Sequence, residues 1–165
     1  MTLSLRPDRE SCLRIFQSNV PAFFAPSEAA DFAEFLKGEV DENYFVVEDE
    51  AAQLVGCGGV FLGGNHAGFC WGMVEHSRHR RGIGTFLLLR RLEHLRRNYP
   101  HVNTVRLDTT QHSQGFFARF GFVTARVTQD AYGLGLDRFD MVLHPDLTPR
   151  HAYGRSAKRK DSSRR

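Results

Sequence analysis

The chain lacks the features that would place it in a membrane or cross-link it. No apolar run reaches the roughly 18 residues that a membrane-spanning helix needs, and no basic-then-apolar leader opens the sequence. Cysteine is scarce, since Cys12, Cys57 and Cys70 are widely spaced and form no C-x-x-C pair. These absences predict a cytoplasmic protein with core thiols, and they argue against a disulfide framework or a zinc knuckle.

Metal ligands at convincing spacing are also lacking. The eight histidines are scattered, and His76 and His79 have no carboxylate or cysteine partner nearby in the pattern, so no metal site is predicted. What is present is ample apolar content: the 165 residues are 41% hydrophobic and include 14 Phe. This length and composition predict one domain with its own core over residues 1–147.

Positive charge is concentrated at the end of the chain. Residues 150–165 hold seven Lys or Arg against Asp161, a net +6, and subtracting this from the whole-chain +3 leaves −3 for residues 1–149. The segment 148–165 therefore reads as a basic, disordered tail, with a weak nucleic-acid contact as an alternative to a merely solvated tail. The acidic balance of the body mildly favours a cationic partner.

Hydrophobic periodicity predicts elements in the order β-α-α-β-β-β-α-β-α-β-β. The predicted strands cover residues 2–5, 44–48, 53–62, 67–75, 102–107, 122–129 and 139–144. The predicted helices begin near Asp8, Glu28 and Gly82, and a fourth, short helix ends at Gly121. Because three strands form an antiparallel meander without crossovers, the pattern excludes a Rossmann unit. In the third helix, Arg90 and Arg91 are expected on the mostly solvated side with the other distal cations.

The most informative stretch lies between the third meander strand and the third helix. Gly82 and Gly84 allow close backbone approach to a ligand, and a helix that begins there presents unpaired N–H donors that suit a phosphate or pyrophosphate. Arg78, Arg80 and Arg81 add positive charge. The stretch has neither the Lys-Ser/Thr ending of a P-loop nor the third glycine of a dinucleotide fingerprint, so another phosphate ligand is indicated.

Two motifs in this element order resemble the GNAT N-acetyltransferase superfamily. Its coenzyme A loop, R/Q-x-x-G-x-G/A, here runs from His79 to Gly84, with His79 in place of Arg or Gln. The family also has a short helix that contains aromatic residues and ends in the pattern x-x-x-Gly-Phe. This pattern matches the present sequence at Phe116, Gly121 and Phe122. The resemblance covers roughly residues 2–145 and implies an α/β fold with a mostly antiparallel twisted sheet, in which one parallel strand pair is splayed.

The resemblance also implies a co-substrate and its binding residues. Acetyl-CoA would be held by main-chain N–H groups on both sides of the loop and by an amide on the short helix. The residues at these positions are Met73, Val74, His79, Arg80, Arg81, Gly82, Ile83, Gly84, Thr85 and Gln111. The acceptor would be a primary amine on a small molecule or peptide, and a homodimer is an alternative to a monomer.

The proton-transfer groups are harder to assign. The position of the strand glutamate in the histone-acetylating branch falls on Gly68, and the usual Tyr falls on Phe117. Candidate bases are His66, Glu75, Asp108, His112 or an ordered water, and candidate acids are His112 and Ser113. His112, Ser113 and Glu75 are therefore the candidate catalytic residues. A non-catalytic acyl-CoA-binding module is the alternative function.

Overall fold

The computed structural model describes residues 1–4, 8–38 and 42–144. The elements follow the predicted order and include one unpredicted 3-10 turn, His76–Arg78. The strands are β1 (Thr2–Ser4), β2 (Tyr44–Glu48), β3 (Leu54–Gly63), β4 (His66–Val74), β5 (Thr104–Thr109), β6 (Val123–Gly133) and β7 (Leu136–Leu143). The helices are α1 (Arg9–Ser18), α2 (Glu28–Gly38), α3 (Ile83–Asn98) and α4 (Gln111–Ala118). The tail predicted over residues 148–165 lies outside the described residues.

The strands form one sheet of seven, in the order β1-β2-β3-β4-β5-β7-β6. All neighbouring strands are antiparallel except β4 and β5, which are parallel because α3 connects them. The predicted mixed sheet with one parallel pair is therefore confirmed. None of the described helices has the length and apolar character needed to cross a bilayer.

The sheet separates two apolar cores, and strand β2 shows the division. Phe45 and Val47 belong to the core that α3 covers, while Tyr44 and Val46 belong to the core under α1 and α2. Since side chains alternate between the faces of a strand, these two cores lie on opposite faces of the sheet.

The parallel pair is joined over only a short distance. Pairing runs from His66 with Thr104 to Gly68 with Arg106, whereas β4 continues to Val74 and β5 to Thr109. Opposite the unpaired part, β4 carries a bulge, because register with β3 shifts between the pairs at Cys57 and Gly59. Trp71 lies in this bulge with a φ of 44°. The sheet therefore opens into a cleft between β4 and β5.

The β6–β7 hairpin is longer than predicted. Residues 132–138 were expected to form a loop, but Gly133 pairs with Leu136 and the turn shortens to Leu134 and Gly135. Gly133 and Gly135 have φ values of 141° and 77°, which an L side chain would resist. The glycines allow a tight reversal, so both strands extend into the predicted loop.

One prediction for α3 is wrong: Arg91 is not on the solvated side but is 3% exposed. The helix turns it toward the sheet, where glycines of β3 and β4 leave space for its guanidinium. Its neighbours Arg90 and Arg97 are exposed as expected and pair with Glu93. The prediction of core thiols holds for Cys12 and Cys57, which are fully buried, whereas Cys70 is only partly buried.

Candidate active site

The loop before α3 has the backbone of an anion site. Arg80 and Gly82 have φ values of 62° and 83°, so both residues adopt the left-handed backbone conformation just before the helix. Phe86 N–H donates to the Gly82 carbonyl, the first bond of α3, and the N-cap residue Gly82 has no side chain that could cap the helix. The N–H groups of the first turn, from Ile83 onward, therefore have no partner within the helix.

Two side chains hold the end of β4 beside this loop. Asn19, which is 2% exposed, donates from Nδ2 to the Val74 carbonyl at 2.8 Å and to the Ile15 carbonyl at 2.9 Å. The His79 ring bonds the same Val74 carbonyl through Nε2 at 2.9 Å. His79 thus has a side-chain role that the loop motif does not reveal, because its ring fixes the strand that precedes the loop.

Along the free edge of β4, every second N–H group faces the cleft. Glu75 N–H donates to the Val55 carbonyl of β3, and Met73 pairs with Cys57 of the same strand. Since successive peptide groups face opposite edges of a strand, the N–H of Val74 faces the opening, whereas that of Met73 faces β3. Of these two predicted donors, Val74 has the orientation that a ligand in the cleft would need.

Gln111, at the start of α4, uses its amide within the protein. Its Nε2 donates to the Gly135 carbonyl at 2.7 Å, and its Oε1 accepts from Asp137 N–H at 3.0 Å. The side chain therefore ties α4 to the β6–β7 turn. Sequence reasoning placed this amide at the pyrophosphate, and the long-range pairing with the hairpin could not be read from the local motif.

The predicted catalytic residues lie in two places. His112 and Ser113 are in the first turn of α4, where His112 is exposed and Ser113 is half-buried. The His112 ring lies 5.9 Å from the Phe23 ring, and Phe23 also contacts His79 of the loop at 5.1 Å. Phe23 therefore links the starts of α3 and α4 across the cleft. Glu75 instead lines a shallow depression beside α1 with Ser11 and Arg14.

A group of polar side chains that sequence reasoning did not bring together lies on the α1–α2 side of β5. Val105 and Leu107 are buried in the opposite core, so alternation directs Asp108 to this side. Tyr132 donates its hydroxyl proton to Asp108. Burial raises the pKa of Glu28, and the nearby Asp108 charge raises it further. These residues form what we call the acidic wall, Glu28, Asp108 and Tyr132.

Tyr132 could not have been placed from sequence because its strand is irregular. The register of β6 and β7 shifts between Thr128 and Gly133, and Asp130 has a φ of 52°. Burial and the hydrogen bond to Asp108 both raise the Tyr132 pKa well above its ordinary value, so the phenol stays protonated. The sequence offered two partial signals of this site. Asp108 was already a candidate base, and the Asp and Gly residues around Tyr132 favour turns.

Residues 18–144 match the sequence profile of the acetyltransferase (GNAT) domain. The chain belongs to the GNAT acetyltransferase family. Solved GNAT structures share its fold. A protein assigned to the family from Desulfovibrio desulfuricans is 21% identical with a TM-score of 0.68, and the match covers 87% of this chain and 96% of that one. No curated protein sequence matches significantly.

Two further neighbours carry more specific names. The ribosomal-protein-S18-alanine N-acetyltransferase from Escherichia coli is 17% identical with a TM-score of 0.71, over 93% of this chain and 99% of that one. An aminoglycoside 6'-N-acetyltransferase, solved with coenzyme A, is 18% identical with a TM-score of 0.63, over 87% and 97%. At these identities the likeness establishes the GNAT fold.

Two departures from the GNAT pattern have structural causes. Phe117, at the usual Tyr position, packs its ring 5.0 Å from Phe116 and 5.7 Å from Phe122 and so serves the core. A Cβ on Gly68, the strand-glutamate position, would lie 1.9 Å from the Phe61 ring. Neither position can supply the acid or base seen in other GNAT branches, so any proton transfer must use other groups.

The short α4 helix ends as the GNAT motif predicts. Gly121 N–H donates to the Ala118 carbonyl, and Phe122 N–H donates to the Phe117 carbonyl at 3.4 Å. With Gly121 at a φ of 90°, this is a Schellman ending. It places buried Phe122 against Phe69 of β4, with ring centroids 6.1 Å apart, near the closed end of the cleft.

Proposed function

We propose that this chain is an acetyl-CoA-dependent N-acetyltransferase that acts on a primary amine of a small molecule or peptide. The observation that carries the proposal is the cleft itself: β4 and β5 separate beyond Gly68, and the uncapped start of α3 lies beside the end of β4. Acetyl-CoA is the acyl donor of the GNAT family, and coenzyme A is present in the aminoglycoside acetyltransferase structure.

The main chain would bind the donor. N–H groups at the start of α3, with the positive end of the helix dipole, suit the pyrophosphate, and exposed Arg80 and Arg81 add charge at the cleft mouth. Further along the cleft, the Val74 N–H is oriented to pair with a pantetheine amide or with the thioester oxygen. Because most of these contacts are backbone contacts, altering loop conformation should weaken binding more than trimming side chains.

The acidic wall would receive the amine. An alkylammonium has a pKa of about 10.4 and must lose a proton before it can attack the acetyl carbon. Asp108 and Glu28 are carboxylates on the side of the sheet away from α3 and can accept that proton. Asp108 already lies 3.9 Å from the Arg138 guanidinium, so Glu28 is the carboxylate that would favour a cation more. The amine nitrogen then bonds to the carbonyl carbon and releases a second proton to solvent, the C–S bond breaks, and the thiolate leaves.

Protonation of the leaving thiolate is proposed for His112 or Ser113. Both lie at the start of α4, and His112 is linked through Phe23 to the loop that would hold the donor. A thiol of pKa about 8.5 also leaves tolerably without help, so this step contributes modestly. An unchanged pH–rate profile for His112→Ala would remove His112 from the mechanism.

A direct test is release of free coenzyme A from acetyl-CoA with polyamines, amino acids, aminoglycosides and peptides as acceptors. Turnover with at least one primary amine is expected. Acetyl-CoA binding without turnover across the panel would favour the second candidate, a non-catalytic acyl-CoA-binding module, which Phe117 and the obstructed Gly68 position support. No binding of coenzyme A would reject both.

A further inference from the structure

Arg91 is an unusual residue for the middle of α3. It is 3% exposed, and its Cζ lies 4.2 Å from the centre of the Phe69 ring. Its Nη1 donates to the Gly59 carbonyl at 3.4 Å, while its Nε is buried and has no hydrogen-bond partner in the described part of the chain. Among the described residues, no carboxylate forms an ion pair with it. A buried, unpaired guanidinium is costly, so a role that needs its charge is the natural explanation.

The sheet is built to admit this guanidinium at the β4 bulge. A Cβ on Gly58 would lie 3.0 Å from Nη1, and a Cβ on Gly72 would lie 3.0 Å from Nη1 and 3.1 Å from Nη2. Gly58 and Gly72 are on neighbouring strands, and both lie inside the register shift, between the pairs Cys57–Met73 and Gly59–Cys70. The guanidinium therefore occupies the space that side chains would otherwise fill directly beneath the bulge.

We infer that Arg91 is a positioning residue for acyl transfer, which holds the β4 bulge and supplies a fixed positive charge beneath the thioester site. This inference rests on the proposed function. During transfer, negative charge develops on the carbonyl oxygen and then moves to the sulfur as the C–S bond breaks. Arg91 exchanges no proton in this step, and it acts through the bulge and through its field.

The expected change in rate follows from the distance between the Arg91 guanidinium and the oxygen on which charge develops. Val74 lies two residues beyond Gly72 along β4, so an oxygen bound to its N–H is about 10 Å from the guanidinium. A unit charge at that distance in a medium of effective dielectric about 20 changes the rate by up to about 20-fold. Burial lowers the Arg91 pKa only to about 10, so the group stays charged at neutral pH.

The test compares Arg91→Met, which removes the charge, with Arg91→Lys, which keeps it, and with the exposed-site control Arg96→Met. We expect Arg91→Met to bind acetyl-CoA within about threefold of wild type in calorimetry while kcat falls several-fold, by up to about 20-fold. Arg91→Lys should recover most of kcat, and Arg96→Met should match wild type. Unchanged kcat in Arg91→Met, or equal losses in Arg91→Met and Arg91→Lys, would overturn the inference.

A second measurement needs no acceptor. The charge should favour the thiolate of bound coenzyme A, which a difference titration of thiolate absorbance detects. Arg91→Met removes the charge, and at about 10 Å in a medium of effective dielectric about 20 we expect it to raise the thiol pKa of bound coenzyme A by up to about one unit, with little loss of affinity. An unchanged pKa would contradict the inference. Failure of wild type to bind coenzyme A would instead contradict the proposed function.

Discussion

Gly82 offers a matched test of the loop before α3. Its φ is 83°, and an added Cβ would meet no atom within 4 Å, so Gly82→Ala introduces backbone strain without a clash. Gly64, in the β3–β4 turn, has a φ of 63° and equally open surroundings. A left-handed alanine costs about 1–2 kcal/mol. Whatever part of this strain the free protein retains should lower the stability of either variant, by about 2–4 °C in Tm for each kcal/mol.

The two variants should differ in coenzyme affinity. Strain at Gly82 is relieved if the peptide turns, which moves the N–H groups of Ile83 and Gly84 away from the positions that an anion needs. Binding must then restore the left-handed conformation, so about 1–2 kcal/mol reappears as a 5- to 30-fold rise in the Kd for coenzyme A. Calorimetry on both variants measures this. Equal affinity in Gly82→Ala and Gly64→Ala, together with an unchanged Tm for Gly82→Ala, would refute a backbone anion site at this loop.

Three further substitutions test other contacts. Asn19→Ala should cost about 1–3 kcal/mol in urea unfolding because it removes a buried donor to the Val74 carbonyl; a loss under 0.5 kcal/mol would contradict this. Because the Glu28 pKa is raised, wild type should lose stability relative to Glu28→Gln as pH rises from about 4.5 through that pKa, and a pH-independent Tm difference would count against the burial argument. Tyr132→Phe removes the hydroxyl that donates to Asp108, so the KM for the amine should rise about threefold or more with the KM for acetyl-CoA unchanged; the reverse pattern would place Tyr132 at the donor.

Features encoded within a few neighbouring residues were predictable. The order of elements follows from hydrophobic period, and Gly82 and Gly121 mark a helix start and a helix end because each adopts a positive φ. The GNAT resemblance rested on these two places, and the family match confirms it. The cleft was implied by the resemblance, since the point at which β4 leaves β5 depends on a bulge that no periodicity reveals.

Features that depend on distant pairing were not predictable. Helical period placed Arg91 in solvent, and only the meeting of Gly58 with Gly72 across two strands creates its buried space. Tyr132 was assigned to a loop, and it reaches Asp108 because the hairpin shifts register. Gln111 fits its motif, but its amide bonds a hairpin about 24 residues away in sequence, which a local pattern cannot encode.

The short parallel seam between β4 and β5 has a mechanical consequence. Only three residue pairs join β4 to β5. Where these backbone hydrogen bonds end, side-chain packing alone holds the two halves of the domain together. An extended molecule seated there would act as an eighth, non-peptide strand. The amide hydrogens of β4 that face the opening, such as that of Val74, should exchange quickly in the empty protein and slowly in the filled one, so lifetime in a cell would rise and fall with the supply of that molecule.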